Sequence, residues 1–439
     1  MRFDKIIRDA VHLDIVFSEK FFALIDTKEF QRLNRIRQLS CEHMVFPTAT
    51  HSRLAHSLGT YYVMYRLIDH FSNILEELGH KVKEQDKELA LCAALLHDIG
   101  HGPFSHTFEK LFQLKEHEKW AIDILNSKDT EINKVIRKNF GEEFLERLTD
   151  IISKDYSHKA NDGIFSIISM LVSSQIDADR MDYLLRDAYF TSVTNGIYDI
   201  KRLIRAFGAE MTEDGNFRIF IHEKYMATLE EYILARYYMH KEVYQHSIKK
   251  QMEGILKKIF KRAIFLHQSK QNIEVSPVMK KLFEGRDITP LEYHEIDDTT
   301  LLYHISIWQQ NEDVILSFLC KSFTNRKKFK KYTFQIGDED KLKILKEKIK
   351  KALNNGKYPN EEMNFKDEYF YFEDDVEIKI YENKKENIWI KKRDGSLVDL
   401  SKASVIINES SLSNTSDSIK RVYISYELFE KIYGKKLEF

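Results

Sequence analysis

The chain has 439 residues, with 68 Lys and Arg against 69 Asp and Glu, a formal net charge of −1. That balance excludes a protein built mainly to coat nucleic acid or anionic lipid, and 15 Gly with 5 Pro are too few for a linker-rich or disordered chain. Three separated cysteines, Cys41, Cys92 and Cys320, give neither a disulfide framework nor a thiolate metal site, so a reducing, cytoplasmic setting is expected. The start, MRFDKIIRDAVHLDI, lacks the continuous apolar stretch of a secretory signal. Stripes of period 3.6 predict helices at 28–39, 54–79, 86–98, 116–126, 164–187, 224–265 and 338–354. Turns are signalled by Phe46-Pro47-Thr48, Gly100-His101-Gly102-Pro103 and Asp214-Gly215. The longest clean apolar run, 89–96, falls far short of the ~20 residues of a membrane span, so no membrane association is expected. Near the end, alternation at 377–381, then Ile388-Trp389-Ile390 and a turn at Arg393-Asp394-Gly395-Ser396, predicts a few strands. The pattern predicts a mainly α fold: a helical core over 1–270, a helical extension with a basic segment over 271–335, and a smaller α+β region over 336–439.

Of 17 histidines, fourteen precede residue 250, so the chemistry is sought there. Arg53 and His56 are three apart and share a helical face; Arg suits a phosphate oxygen and His a metal. His43 and His51 read as surface or satisfied residues. The stretch ELALCAALLHDIGHGPFSH, 88–106, ends an apolar helix directly on His97-Asp98, with His101 and His106 in and after a Gly-rich turn. Imidazole and carboxylate are good ligands for divalent metals, and glycines let the backbone come close to a ligand. Downstream, Asp177 and Asp179 compete as a further ligand, about 200° apart on one helix. Asp179 falls on the apolar stripe of Val172, Ile176 and Tyr183, where a carboxylate is costly unless paired or metal-bound, and is preferred. Asp177 and Asp182 read as solvated helix charge. Arg236, His240 and Tyr244 recur every four residues, with Gln245 following, and 326–331 carries five basic residues in six.

His56, then His97-Asp98, then Asp179 resembles the signature of HD-domain metal phosphohydrolases. The strings RLAHSLG, HDIGHGPFSH and IDADRMDYLLRD, in that order, resemble the deoxynucleoside triphosphate triphosphohydrolase branch, here without a SAM domain. The resemblance covers about 5–335 and implies an HD-domain helical core. It implies that His56, His97, Asp98 and Asp179 hold one or two divalent ions (Fe, Mn, Mg or Zn). The implied reaction releases deoxynucleoside and intact triphosphate. His106 matches the proposed general acid and Glu109 the acid that orients it. His101 and Arg53 match α-phosphate contacts, His117-Glu118 a second His-acid pair, and Arg180 a phosphate partner that is often Lys. Gln38 and Leu39 match the pair that reads the 3′-hydroxyl and crowds the 2′ position, with Asp187 and Tyr183 completing the sugar site. Arg236, His240, Tyr244 and Gln245 match phosphate and base contacts. Lys5, Asp26, Gln31, Arg202, Arg326 and Lys330 match parts of a site for an activating nucleotide between subunits of a tetramer or dimer. Asn34 departs from the family's guanine-reading Arg, and RDAVHLDI lacks the Pro and Gly of the usual form. Two other functions compete: a phosphohydrolase for a dNMP or a guanosine alarmone, and a non-catalytic nucleotide- or nucleic-acid-binding protein.

Overall fold

The protein is described here by a computed structural model covering residues 3–112, 114–154, 163–213, 215–335, 337–354, 369–376, 387–408 and 419–434. A hairpin of β1 (Phe3–Asp9) and β2 (Leu13–Ser18) leads into two short helices, α1 (Glu19–Ile25) and α2 (Lys28–Arg32). The core helices are α3 (Arg53–Glu77) and α4 (Glu84–Leu96). Ser52 starts α3 by accepting the Ala55 N–H at 3.4 Å, an N-cap. All eight residues of the apolar run 89–96 are buried, so α4 is covered on every side. Each buried Leu there contributes roughly 1.5–3 kcal/mol, which anchors the His97-Asp98 pair that follows.

Next come α5 (His106–Phe112), α6 (His117–Asn126), α7 (Glu131–Asn139), α8 (Glu142–Ser153), α9 (Gly163–Val172) and α10 (Ala178–Thr191). The sequence predicts one helix over 164–187, yet the chain breaks after Val172. Asp177 N-caps α10, accepting the Arg180 N–H at 2.7 Å through Oδ1 and the Ser174 N–H at 2.9 Å through Oδ2. A buried cap outcompetes helix continuation through the polar run Ser173-Ser174-Gln175. After α11 (Ile200–Ala206) come β3 (Phe207–Met211) and β4 (Phe217–His222), with Gly215 at φ +81° between them. Asp214 lies outside the described residues.

The predicted helix 224–265 is also two: α12 (Met226–Met239) and α13 (Ser247–Gln268). A π turn over His240–Tyr244 widens the end of α12, and His246 caps α13. Helices α14 (Pro277–Phe283), α15 (Pro290–His294), α16 (Asp298–Trp308) and α17 (Val314–Thr324) follow, in the region expected to be a helical extension. The chain then forms β5 (Lys330–Phe334), α18 (Glu339–Asn354), β6 (Tyr371–Val376), β7 (Trp389–Lys391), β8 (Leu397–Asp399) and β9 (Ile419–Ile424). β7 and β8 flank the predicted turn at 393–396, whereas the predicted strand at 377–381 lies outside the described residues. Strand order is β3-β4-β7-β8 in one sheet and β5-β9-β6 in another. The fold is mainly α, with small sheets on its flanks. No described helix is long and apolar enough to cross a membrane.

Candidate active site

α3 packs along both α4 and α10, which brings three remote stretches of sequence together. His56 Nε2, His97 Nε2 and an oxygen of Asp179 all lie within 4.8 Å of one another. Asp98 borders them, with Oδ1 3.3 Å from His97 Nε2 and Oδ2 3.8 Å from His56 Nε2. Both imidazoles have a fixed tautomer. His56 Nδ1 donates to Asp182 Oδ2 at 2.8 Å, and His97 Nδ1 donates to the Ala94 carbonyl at 2.9 Å. Each Nε2 is buried and turned on Asp179, whose Oδ1 lies 2.9 Å from His56 Nε2 and 3.5 Å from His97 Nε2. Imidazoles held through Nδ1, with Nε2 atoms turned on carboxylates, suit a divalent metal. Burial alone would push the His56 pKa down, but Asp179 and Asp182 outweigh it and carry it up to about 10. His97 is raised against burial by Asp98 and Asp179. The spot demands positive charge.

Around this cluster the electrostatics alternate. Burial would raise the Asp98 pKa, yet His97, His101 and Arg53 hold it well below the carboxylate range. Arg53 pairs with Asp98 through Nη1 and donates to Ser105 Oγ at 2.7 Å through Nη2. His101 is pushed down to about 3 by burial and by Arg53, so it is neutral near pH 7. Its ring stacks on His117 with centroids 3.8 Å apart, and Glu109 Oε1 lies 3.7 Å from His101 Nδ1 and 3.5 Å from His117 Nδ1. His117 Nε2 faces Glu118 at 3.3 Å, and Glu118 pairs with Lys154 at 3.2 Å. The backbone of His106 opens α5; its side chain lies outside the described residues.

Two cavities meet here. One, of about 280 Å³, is lined by His97, Asp98 and Asp179 of the cluster with Arg53, His101, His117, Glu118, Lys154 and Arg180. The other, of about 430 Å³, is lined by Leu39, Asp187, His240, Tyr244 and Lys249 among others. Gln38, Arg53 and Tyr183 line both. Each Asp187 oxygen accepts one hydrogen bond and keeps room for another: Oδ1 from His51 Nε2 at 2.8 Å and Oδ2 from the Tyr244 hydroxyl at 2.7 Å. His51 is thus buried and paired through Nε2, while its Nδ1 has no hydrogen-bond partner among the described residues. Burial pushes His240 down to about 4, with Arg236 and Arg180 adding to it. Arg236 Nη1 and Gln245 Oε1 are buried without a hydrogen-bond partner among the described residues.

One reading of the sequence needs correction. Asp177 and Asp182 are not solvated charges; both are buried, at 3% and 0% exposure. Asp177, raised to about 6 by burial against Arg180, serves the helix start, and Asp182 serves His56. The signal for Asp182 was present in its i,i+4 spacing to Arg186. The six residues assigned to a nucleotide between subunits lie on separate elements. Lys5 sits over the Phe22 ring beside exposed Asp26, Gln31 Nε2 donates to the Ile25 carbonyl, and Arg202 Nε donates to Thr228. Arg326 Nε donates to the Met44 carbonyl at 2.6 Å, and Lys330 lies over Phe429.

Residues 53–186 match the HD domain family. Protein YwfO of Bacillus subtilis is 41% identical over 338 residues, 76% of this chain and 73% of that one. The deoxynucleoside triphosphate triphosphohydrolase SAMHD1 homolog of Dictyostelium discoideum is 31% identical over 265 residues, 59% of this chain and 49% of that one. The match thus spans about half of that relative's length. Among solved structures, a phosphohydrolase of Bacteroides thetaiotaomicron superposes with a TM-score of 0.78 at 27% identity, covering 96% of this chain and 99% of that one.

Proposed function

The chain belongs to the HD-domain family of metal-dependent phosphohydrolases, and on that premise we propose that it hydrolyses deoxynucleoside triphosphates to deoxynucleoside and inorganic triphosphate. The observation that carries this reading is the meeting of a tautomer-fixed His56, His97, Asp98 and Asp179 cluster with a cavity that has cationic walls on one side and a sugar-sized polar niche on the other. These four residues would hold one or two divalent ions, which lower the pKa of water and offset charge growing on phosphorus when bound. Arg53 and Arg180 bind phosphate oxygens by charge, and neutral His101 donates a hydrogen bond without adding charge of its own. Water attacks the α-phosphorus and the bond to the 5′ oxygen breaks, with His106 as the general acid for the departing oxygen and Glu109 as the acid assigned to assist it. His117 and Glu118 back that step from the neighbouring wall. On the nucleoside side, Gln38 and Asp187 read the 3′-hydroxyl, Leu39 crowds the 2′ position, and Tyr183 supports the sugar. Arg236, His240, Tyr244 and Gln245 complete the phosphate and base contacts.

An activating nucleotide between subunits belongs to the same proposal, with Lys5, Asp26, Gln31, Arg202, Arg326 and Lys330 as its contacts. The test is chromatography of the products from each of the four dNTPs with Mn²⁺, with and without a second nucleotide. Triphosphate and deoxynucleoside in equal amounts are expected. Release of only orthophosphate or pyrophosphate would overturn the bond assignment and leave a dNMP or alarmone phosphohydrolase as the reading.

A further inference from the structure

His56 takes its orientation from a carboxylate that the N-terminal hairpin grips. Asp182 is fully buried on α10. Its Oδ2 accepts from His56 Nδ1 at 2.8 Å and from Arg186 Nε at 2.9 Å. Its Oδ1 accepts from His12 Nε2 at 2.7 Å and from Arg186 Nη2 at 3.0 Å. The same guanidinium reaches Asp9, with Nη1 at 2.7 Å and Nη2 at 3.2 Å. Asp9 Oδ1 also accepts the backbone N–H groups of Val11 and His12, at 2.9 and 2.8 Å, and so shapes the turn between β1 and β2. The His12 ring stacks on Tyr62 of α3 at 4.9 Å. Gly59, three residues beyond His56 on α3, leaves the room: an added Cβ would overlap Asp182 Oδ1 and the Arg186 guanidinium.

This arrangement costs more than packing requires. Two buried carboxylates share one guanidinium, and apolar residues of similar volume would hold the same elements together at lower desolvation cost. The surplus negative charge lies directly behind a metal ligand. A carboxylate on the distal nitrogen of a ligating imidazole fixes its tautomer and raises its basicity. We propose that the β1–β2 turn is a positioning element of the metal centre: His12 and the Asp9–Arg186 pair clamp Asp182, which holds His56 with its Nε2 lone pair on the cation. Asp182 with two donors on each oxygen has one orientation; without His12, Oδ1 keeps only Arg186 Nη2 at 3.0 Å and the hold on His56 loosens. The inference rests on the metal reading of the cluster.

Residue 12 supplies the test, because Gln carries a donor nitrogen with nearly the reach of His Nε2 while Asn stops short. Mn²⁺ affinity is measured by chelator competition, and Co²⁺ loading by its visible spectrum, for the wild type, His12→Gln, His12→Asn and His12→Ala. Circular dichroism and melting of the metal-free proteins report the fold. Gln is expected to bind Mn²⁺ within a few-fold of the wild type. Asn and Ala are expected to bind about ten- to a hundredfold more weakly, with a shifted Co²⁺ spectrum and an unchanged metal-free fold. Equal affinity in all four proteins overturns the proposal, and so does a loss in Gln as large as in Asn. A wild-type protein that binds no divalent metal would instead sink the metal reading itself.

Discussion

At the scale of single residues, charge and proton placement decide what the cluster can do. His97 follows α4 directly, and its Nδ1 bond to Ala94 contributes only about 1 kcal/mol. His97→Ala should therefore keep the helix and lose the metal: bound metal by mass spectrometry and turnover both fall to background while circular dichroism holds. Full turnover in that variant would remove the cluster from the mechanism. A second residue-scale prediction concerns acid. Burial pushes His43, His240 and His294 down to about 4, helped by Arg37, Arg236 and Arg32 respectively. In the unfolded chain a histidine titrates near 6.5. As pH falls from about 6.5 to 4, the unfolded chain takes up protons that the folded one refuses, so stability drops with falling pH through that window. His294 is half-buried, which discounts its share to roughly 1 kcal/mol. Urea midpoints at pH 7 and pH 5 should differ less in His294→Gln than in the wild type. An unchanged difference would show that His294 is solvated in the folded state.

At the scale of elements, the break between α9 and α10 selects the ligand. With the helix starting at Ala178, Asp177 turns back to cap it and Asp179, in its first turn, faces the histidines. Asn can keep the cap on Arg180 but not the Ser174 bond as well, so Asp177→Asn should retain metal at a cost of about 1 kcal/mol, whereas Asp177→Ala loses both bonds and should cost more. Asp179→Asn should lose metal at nearly unchanged melting temperature; metal retained there and lost in Asp177→Asn would reverse the assignment. Much of this was legible beforehand. The apolar run ending on His97-Asp98 marks a buried helix that delivers two polar groups to one place, and Arg53 with His56 marks a second. The helix breaks were not legible, because the short polar stretches 173–175 and 240–242 fit the solvent face of a continuing helix, while capping by Asp177 and His246 ends it. The β1–β2 hairpin was hidden for another reason. Its strands place Ile6 and Leu13 outside, at 65% and 57% exposure, so no clean alternation appears. Its contact with Asp182 spans 170 residues of sequence, beyond any local signal. The dismissal of Asp182 as a surface charge had the same source, since only the packing of α3 against α10 buries it.

At the scale of the whole molecule, the C-terminal strands reach the α12–α13 break that lines the second cavity. Arg421 on β9 donates to the Gln245 carbonyl at 2.7 Å, and the Tyr423 hydroxyl donates to the Ser247 carbonyl at 3.2 Å. Gly254 on α13 permits this docking, because a Cβ there would collide with the Phe372 ring of β6. The sheet thus supports the wall that carries His240 and Tyr244, and Arg326 just before β5 ties the same region to Met44 near the cavity mouth. The regulatory assignment can be tested against that layout. Exposed Lys5 and Asp26 lie on the hairpin and α1, exposed Arg202 on α11, and exposed Arg326 beyond α17. Among the described residues, no interaction links these three sets. A single nucleotide touching all of them would have to lie between copies of the chain. Its binding would then raise the assembly's mass, because the ligand adds contacts only the assembled state possesses. Sedimentation velocity should show larger particles with a nucleoside triphosphate than without. Arg326→Glu combined with Lys330→Glu should abolish that shift by like-charge repulsion of the phosphates, while Mn²⁺ content stays at the wild-type level. A wild-type mass indifferent to nucleotide would remove the intersubunit site. A shift that survives the double substitution would move it away from the basic segment at 326–331.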